Sequence, residues 1–356
     1  MVCRAVARIY PVLTALVLLG LMPGVASAQF AGGSGSEADP YQIETWTHLK
    51  EINNHMTAHF VLNNDLTEAT DGYATLAGSG ANEGKGWQPI GDEFCEEEEF
   101  GDCRYYAVEK FSGSLDGQGY TIDKLTINRP NGYPEDTSGG GGVGLFMALE
   151  GATVENLSLT NVNVTGGASR TGALTGITYP EGSMGGAPPA VIDRVFASGN
   201  VTGESTVGGL VGFFQGATIK QSSVNISLTI TNGFGGGLVG YMVSNVTIEN
   251  SYANGIVTGT LHGGGLVGSL FRTGDIATLR YNYSNVLVQT DGNEGGLIGL
   301  MPTGYNASTT VFTANFWNTS LANQATRDVG DISDNNVTPG IVGKTDAELR
   351  QRSTFE

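Results

Sequence analysis

Short runs of alternating apolar and polar residues fill the chain between residues 150 and 312. The runs are rich in β-branched residues and are separated by asparagine and glycine, as around residues 153–159 and 191–195. Such runs are typical of short β-strands separated by turns. No helical period and no helix-capping signal interrupts them, so the pattern predicts an all-β region.

A glycine-centred motif recurs between these strands. Its central leucines lie at positions 145, 174, 210, 238, 266 and 297, so successive copies are 29, 36, 28, 28 and 31 residues apart. A period of this size is typical of a solenoid, in which each unit buries its apolar face only against its neighbours. The motif residues of the four full copies are Gly209, Leu210, Gly212, Gly237, Leu238, Gly240, Gly265, Leu266, Gly268, Gly296, Leu297 and Gly299.

Three short strands per unit, stacked unit on unit, predict a parallel β-helix from about residue 111 to 317. Crossovers between parallel strands are overwhelmingly right-handed, so we expect a right-handed coil. Leu210, Leu238 and Leu266 should form one inward column, and the glycines should occupy corners that need positive φ and leave no room for a Cβ. Hairpins, as in a sandwich or propeller, are the alternative, but repetition in register favours the coil.

The repeated Gly-Gly-Leu-Val-Gly units resemble the GLUG motif of exported bacterial surface proteins. The resemblance extends to residues 31–43, 59–66, 86–91 and 111–122, and to a closing block at 315–319 and 343–349. It covers nearly all of the chain after residue 28 and implies an adhesin-like parallel β-helix outside the cell. It implies little about biochemical activity. Similar proteins often continue further, which leaves open whether this sequence is a fragment.

Residues 1–28 have the pattern of a signal peptide. Arg4 and Arg8 supply the positive region, residues 9–21 are apolar, and residues 26–28 form a small-residue cleavage site. The apolar run is too short to favour a membrane anchor, and no later stretch is apolar enough to span a bilayer. The sequence therefore predicts an extracellular or cell-surface protein with no transmembrane segment in the mature chain.

The chain is acidic, with 35 Asp and Glu against 17 Lys and Arg and a net charge of −18. This charge argues against nucleic acid and anionic membrane surfaces as direct partners. The acidity is concentrated in residues 29–110, which hold 16 acidic and 4 basic side chains.

Residues 29–110 are expected to form an N-terminal capping segment. Thr45 can cap a short helix whose Leu49, Ile52 and Met56 share one face. That apolar face could cover the open end of the first coil.

Residues 318–356 are expected to form a C-terminal closing segment. Thr345 and Glu348 have the spacing of a capping box at the start of a second short helix. Just before this segment, Phe316 and Trp317 are expected to be core residues.

A dense acidic run lies near the end of the N-terminal segment. It contains the two cysteines of the mature chain, Cys95 and Cys103, which we expect to form a disulfide in an exported protein. The run could bind Ca²⁺, which takes six to eight oxygen ligands. It lacks the alternate spacing of a dedicated calcium loop, so a solvated charge run is the favoured interpretation. The carboxylates concerned are Asp92, Glu93, Glu96, Glu97, Glu98, Glu99 and Asp102.

Candidate catalytic residues are few. His48, His55 and His59 flank the predicted N-terminal helix, where we expect hydrogen-bonded structural histidines rather than metal ligands. Some β-helices are polysaccharide lyases or hydrolases, and these need paired carboxylates, or Ca²⁺ with a basic residue, on one face. Carboxylates along residues 153–312 are too sparse to supply an obvious pair. The sequence thus predicts a protein that is not an enzyme, with a lyase or hydrolase as the alternative.

Large side chains follow several copies of the glycine motif in adjacent pairs. If one member of each pair faces outward, the rings would form a stripe suited to sugar rings or a partner strand. If both face inward they are core, which is the interpretation we favour. Together these features predict a scaffold for adhesion or binding, with a surface glycan or a protein as ligand and no cofactor apart from the possible Ca²⁺. The pairs are Phe213 and Phe214, Tyr241 and Met242, Leu270 and Phe271, and Leu300 and Met301.

Overall fold

The computed structural model describes residues 29–97, 103–133, 141–167, 170–180, 189–259, 261–271, 276–301, 310–321, 329–330 and 339–351, and only the backbone of 92–97 and 103–108. The predicted signal peptide, residues 1–28, lies outside this part of the chain. The helices are short: α1 Trp46–Glu51, α2 Tyr73–Leu76, α3 Ala81–Gly84 and α4 Asp346–Leu349, with a 3-10 turn at Ile52–Asn54.

Strands dominate the described residues. They are β1 Tyr41–Ile43, β2 His59–Leu62, β3 Asp92–Glu97, β4 Cys103–Glu109, β5 Ser114–Asp116, β6 Thr121–Asp123, β7 Thr126–Arg129, β8 Gly142–Val143, β9 Phe146–Glu150, β10 Thr153–Gly166, β11 Arg170–Thr171, β12 Thr175–Tyr179, β13 Ala190–Gly203, β14 Thr206–Gly208, β15 Val211–Phe214, β16 Ala217–Lys220, β17 Ser223–Ile230, β18 Phe234–Gly236, β19 Val239–Met242, β20 Val246–Glu249, β21 Tyr252–Gly259, β22 His262–Gly264, β23 Val267–Leu270, β24 Ala277–Arg280, β25 Tyr283–Thr290, β26 Glu294–Gly295, β27 Ile298–Leu300, β28 Thr310–Thr313, β29 Asn315–Asn318 and β30 Ile341–Lys344.

The strands wind into a parallel β-helix, which confirms the predicted fold class. A typical rung contains β14, β15, β16 and β17, and each of these strands pairs in parallel with its counterpart in the next rung. Three parallel sheets result. The largest, of 16 strands, includes both β16 and β17, whereas β14 and β15 belong to two separate six-stranded sheets. A rung therefore has four strands, one more than the sequence predicted.

The predicted leucine column is present. Leu210, Leu238 and Leu266 are fully buried. The amide of Leu210 donates to the carbonyl of Leu238 at 3.0 Å, and the amide of Leu238 donates to that of Leu266 at 2.9 Å. Each leucine therefore sits directly on the next, with its backbone part of the ladder between rungs.

The motif glycines have a different role from the one expected. None of those named in the four full copies has a positive φ. They are needed because neighbouring rungs approach closely: a Cβ on Gly237 would lie 2.2 Å from the carbonyl oxygen of Gly265. Positive φ occurs at other positions of the rungs, among them the corner between β16 and β17, in the column Asn156, Arg194, Gln221, Asn250, Tyr281 and Ala314.

An internal ladder of serine and asparagine follows this corner. The side chains of Ser222, Ser251, Asn282 and Asn315 are buried. Ser222 donates its backbone N–H to Ser251 Oγ at 3.2 Å, and Ser251 donates its backbone N–H to Asn282 Oδ1 at 3.1 Å. The side chains of Asn282 and Asn315 are joined at 2.9 Å. These contacts satisfy backbone groups that the turn leaves unpaired inside the coil.

Between β10 and β29, one corner of the coil varies in length while the others hardly change. Between β15 and β16 the connection is residues 215–216, and between β19 and β20 it is 243–245. At the same corner the connection from β12 to β13 is 180–189, that from β23 to β24 is 271–276, and that from β27 to β28 is 301–309. The irregular steps between motif copies therefore arise mainly at this corner.

Short helices lie at both ends, as predicted. At the N-terminal end Thr45 Oγ1 accepts the backbone N–H of His48 at 3.1 Å, and Trp46, Leu49 and Ile52 are buried. The largest sheet already begins there, with β1 and β2.

At the C-terminal end, Thr345 and Glu348 form the predicted capping box, but the helix that it starts ends at Leu349. Trp317 is buried as expected, whereas Phe316 is only partly buried and is not a core residue. The domain limits at residues 110 and 317 stay predictions.

Candidate functional site

An aromatic patch covers part of the outer surface of the two six-stranded sheets. We define the patch as Phe213, Phe234, Tyr241, His262 and Phe271. Strands β18 and β22 place Phe234 and His262 on successive rungs, and β15 and β19 do the same for Phe213 and Tyr241. The ring centroids lie 5.4 Å apart for Phe213 and Tyr241, and 5.4 Å apart for Phe234 and His262, both in stacked geometry.

The patch shows that the favoured core interpretation of the paired large residues was wrong. Phe214 and Met242 are buried in the core, whereas their neighbours Phe213 and Tyr241 are only partly buried. In the third pair Leu270 is buried and Phe271 is 42% exposed. In the fourth pair Met301 is buried and Leu300 is partly exposed. One member of each pair therefore faces outward, as strand alternation requires.

Charge and hydrogen bonding around the patch are limited. The guanidinium of Arg170 lies 4.7 Å from the centre of the Phe213 ring, a cation–π contact. His262 Nδ1 accepts the backbone N–H of Asn293 at 3.3 Å. Burial raises the pKa of the Tyr241 phenol, which keeps it neutral well above pH 7. The patch is thus mainly aromatic surface, with His262 as its one imidazole.

A column of asparagines runs up the outside of the largest sheet, and sequence reasoning missed it. Asn254 Nδ2 donates to Asn225 Oδ1 at 2.9 Å, and Asn285 Nδ2 donates to Asn254 Oδ1 at 2.7 Å. Asn318 Nδ2 donates to Asn285 Oδ1 at 2.8 Å, and its own Oδ1 accepts the N–H of Ser320. A signal existed in the sequence, because aligning the repeats brings these asparagines to one position.

An outward column of mostly aromatic residues stands beside the asparagine column, two residues earlier on each strand. It consists of Phe196, Ser223, Tyr252, Tyr283 and Phe316, one per rung. Tyr252 is 47% exposed. Between the two columns lies a surface groove of about 330 Å³, which we call the tyrosine–asparagine groove. It is lined by Phe196, Val224, Asn225, Tyr252, Asn254, Tyr283 and Asn285.

Three carboxylates that are far apart in sequence lie on successive rungs, two of them within residues 153–312, where the sequence offered no obvious pair. Asp116, Glu155 and Asp193 are in register in one outward column. Arg194 forms ion pairs with both Glu155 and Asp193, and Lys220 lies 3.5 Å from Asp193. Two of the three acids are therefore paired with basic side chains, which makes this column an ion-pair network on the coil surface.

The N-terminal histidines are held by separate hydrogen bonds. His48 Nδ1 accepts the N–H of Glu44 at 3.2 Å, His55 Nε2 lies 2.7 Å from Gln29 Nε2, and His59 Nδ1 lies 2.8 Å from Ser114 Oγ. Burial lowers the pKa of His48, although Glu44 and Asp71 oppose the shift. These contacts fit the structural role that the sequence predicted.

The acidic run is mostly outside the part of the chain whose side chains are described. Its flanks form the antiparallel hairpin β3–β4, in which Cys95 pairs with Tyr106 and Glu97 pairs with Cys103 across the strands. The centre of the run, residues 98–102, is not described. The disulfide and the calcium site therefore stay predictions.

Within the described residues, no helix is long and apolar enough to cross a membrane. Among the same residues, no group of three or more His, Cys, Asp or Glu is arranged to hold a metal ion.

Two curated proteins resemble parts of the chain. Halomucin from Haloquadratum walsbyi is 34% identical over 208 residues, which is 57% of this chain and 2% of halomucin. A protein of Evansella cellulosilytica named "Putative Gly-rich membrane protein" is 36% identical over 158 residues, 43% of this chain and 15% of that protein. The chain therefore spans a small part of each relative's length. No family model matches the chain, so the likeness to GLUG proteins rests on the repeats and the flanking blocks named above.

Solved structures share the fold at low sequence identity. A crystal structure described as "a putative immunoglobulin A1 protease" from Bacteroides ovatus matches with a TM-score of 0.63 and 18% identity, over 92% of this chain and 90% of that chain. A second, named IgA1 Protease, matches with a TM-score of 0.56 and 22% identity, over 84% of this chain and 20% of that chain. This likeness corrects the prediction that the protein is not an enzyme: proteins named as proteases share its architecture, so the fold gives no ground for excluding enzymatic activity.

Proposed function

We propose that the protein acts outside the cell as a binding or adhesion module, with the aromatic patch as its contact surface. The observation that carries the proposal is the outward placement of five stacked rings on a coil whose interior is already filled. Soluble proteins rarely expose contiguous apolar surface unless it contacts a partner. The rings Phe213, Tyr241 and Phe271 form one continuous stack along the coil, with centroid separations of 5.4 and 6.1 Å.

The location outside the cell has separate support. The first 28 residues have the pattern of a signal peptide, and one relative is named as a membrane protein. A stack of rings several rungs long suits a polymeric partner, such as a surface glycan or an extended protein segment, because successive units can each meet a ring.

The test is a binding measurement on two patch variants. Tyr241→Ala and Phe271→Ala each remove one ring from the stack, and Tyr120→Ala removes a comparably exposed ring outside the patch as a control. We expect each patch variant to bind cells or extracted extracellular polysaccharide about tenfold less tightly, since a ring contact is worth about 0.5–1.5 kcal/mol. The control should bind as the parent does, and melting temperatures should show that all three variants are folded.

Unchanged binding in both patch variants would contradict the proposal. Because both solved neighbours are named as IgA1 proteases, the same preparations should also be incubated with IgA1. Cleavage by the folded protein, but not by a heat-unfolded sample, would show that the binding surface belongs to an enzyme.

A further inference from the structure

We propose that the tyrosine–asparagine groove is a second binding site, which takes a neutral, hydroxyl-rich sugar ring between Phe196 and Tyr252. The groove lies on β13, β17, β21 and β25 of the largest sheet, whereas the aromatic patch lies on the two other sheets. The two surfaces share no residue, so this site does not depend on the function proposed for the patch.

The spacing of the aromatic column creates a slot. Phe196, Ser223 and Tyr252 are consecutive in the column, so one rung with a small side chain separates two rungs with rings. Adjacent strands are about 4.8 Å apart, which places the Phe196 and Tyr252 backbones about 9.6 Å apart. A ring held between two others needs about 7–8 Å, twice the usual carbon contact distance. The slot therefore has room for one flat ring stacked on both faces.

The asparagine column supplies polar groups along the side of the slot. Each bond within the column uses one amide N–H and one oxygen lone pair. Asn254 donates once and accepts once, so it keeps a second N–H and a second lone pair for a ligand, whereas Asn225 only accepts in the column and keeps both N–H groups and one lone pair. A sugar hydroxyl both donates and accepts, and it can use both groups at once. Because the column already fixes the amide orientations, little side-chain freedom is lost when a ligand binds.

The lining favours an uncharged ligand. It contains phenylalanine, valine, asparagine and tyrosine but no acidic or basic side chain. At one end of the groove, burial raises the pKa of Tyr283 and the Asp346 carboxylate raises it further, whereas Arg350 lowers it. The net shift is upward, so the phenol stays neutral. A charged ligand would lose hydration here without gaining a counter-charge. Acidic sugars would also meet the net charge of −18 on the chain.

The proposal is tested with a variant whose side chain occupies the slot. Ser223→Phe places a ring where the ligand ring would lie, and cross-strand aromatic neighbours tolerate such a ring. Ser227→Phe adds the same ring to an exposed outward position of the same strand, outside the groove, and serves as the matched control. Tyr252→Ala removes one wall of the slot. The probe is an array of neutral and acidic oligosaccharides, followed by calorimetric titration of the neutral oligosaccharide that binds best.

We expect Ser223→Phe to weaken binding by at least about tenfold, and Tyr252→Ala to weaken it by about tenfold. Ser227→Phe and the patch variant Tyr241→Ala should bind the same oligosaccharide as the parent does. The proposal is overturned if Ser223→Phe binds like the parent, if no neutral oligosaccharide binds at millimolar concentration, or if acidic sugars bind more tightly. Loss of sugar binding in the Tyr241→Ala protein alone would assign it to the patch and would also overturn the inference.

Discussion

Glycine is required in the repeat because the backbones of neighbouring rungs touch, and Gly237 shows how closely. An added Cβ would lie 2.2 Å from the Gly265 carbonyl oxygen and 2.8 Å from the Ala253 side chain. The spacing of the repeats identified these glycine positions, but the sequence analysis attributed them to positive φ, which was the wrong cause. Glycine is required both where the backbone needs a positive φ and where there is no room for a Cβ. The sequence shows a glycine in both cases, so only the structure distinguishes the two causes.

Replacing Gly237 by alanine should therefore destabilise the coil through crowding. We expect a loss of about 1–3 kcal/mol in the free energy of unfolding, the usual cost of overpacking. Gly80→Ala is the matched control, because Gly80 has a φ of −92° and a Cβ added there would meet nothing within 4 Å. Urea denaturation of both variants measures the difference. Equal stabilities would mean that neighbouring rungs can separate at no cost.

At the scale of elements, the internal serine and asparagine ladder explains how a sharp corner can be buried. Asn282 Oδ1 accepts the backbone N–H of Ser251, and its Nδ2 donates to the carbonyl of Ile248 at 2.8 Å. The sequence showed that asparagine recurs between strands and predicted turns there. It could not show that the side chains point inward and bond from rung to rung, because that depends on how the rungs stack.

Asn282→Ala should leave the N–H of Ser251 and the carbonyl of Ile248 buried without this partner. We expect the free energy of unfolding to fall by about 1–3 kcal/mol, the cost of a buried unsatisfied polar group. Asn282→Ser should cost less, since serine occupies the same place at Ser222 and Ser251. Hydrogen exchange at the Ser251 amide should accelerate in the alanine variant, and an unchanged rate there would contradict this role.

The hairpin β3–β4 carries the predicted disulfide. In the register of the hairpin Cys95 lies opposite Tyr106 and Cys103 opposite Glu97, so the cysteines are diagonal rather than opposite neighbours. We still expect a bond in the exported protein, with a modest stabilising effect because the loop is short. The unreduced mature protein should be lighter by two hydrogens than the reduced one. Two free thiols in freshly isolated extracellular protein would refute the pairing.

For the whole molecule, the fold could be predicted from the sequence, but the arrangement of side chains on the outer surfaces could not. A repeat of 28 to 36 residues with β-branched alternation defines a stacked coil, and the leucine column followed directly. The outward rings were misassigned because two adjacent large residues, such as Phe213 and Phe214, were both treated as core. Strand alternation alone would have placed one outside. The asparagine column and the groove depend on the register between neighbouring rungs. The sequence of a single repeat unit does not contain that register.

A stacked coil should be most stable in its middle rungs, which have neighbours on both sides. The Leu238 amide, bonded between central rungs, should exchange more slowly than the amides of β30, which among the described strands pairs with β29 alone. Hydrogen exchange read out by mass spectrometry of proteolytic peptides tests this. Equally slow exchange at both places would indicate that the described coil unfolds as one unit rather than rung by rung.

The corner with connections of variable length indicates where the chain can accept insertions and deletions. The strands on either side of residues 180–189, 271–276 and 301–309 meet at the same corner of the coil, and those strands, not the connections, form the ladders that hold the rungs together. The length of chain between them can therefore change without disturbing the stacking. We expect foreign peptides inserted into these connections to be tolerated and to be displayed at one corner of the coil.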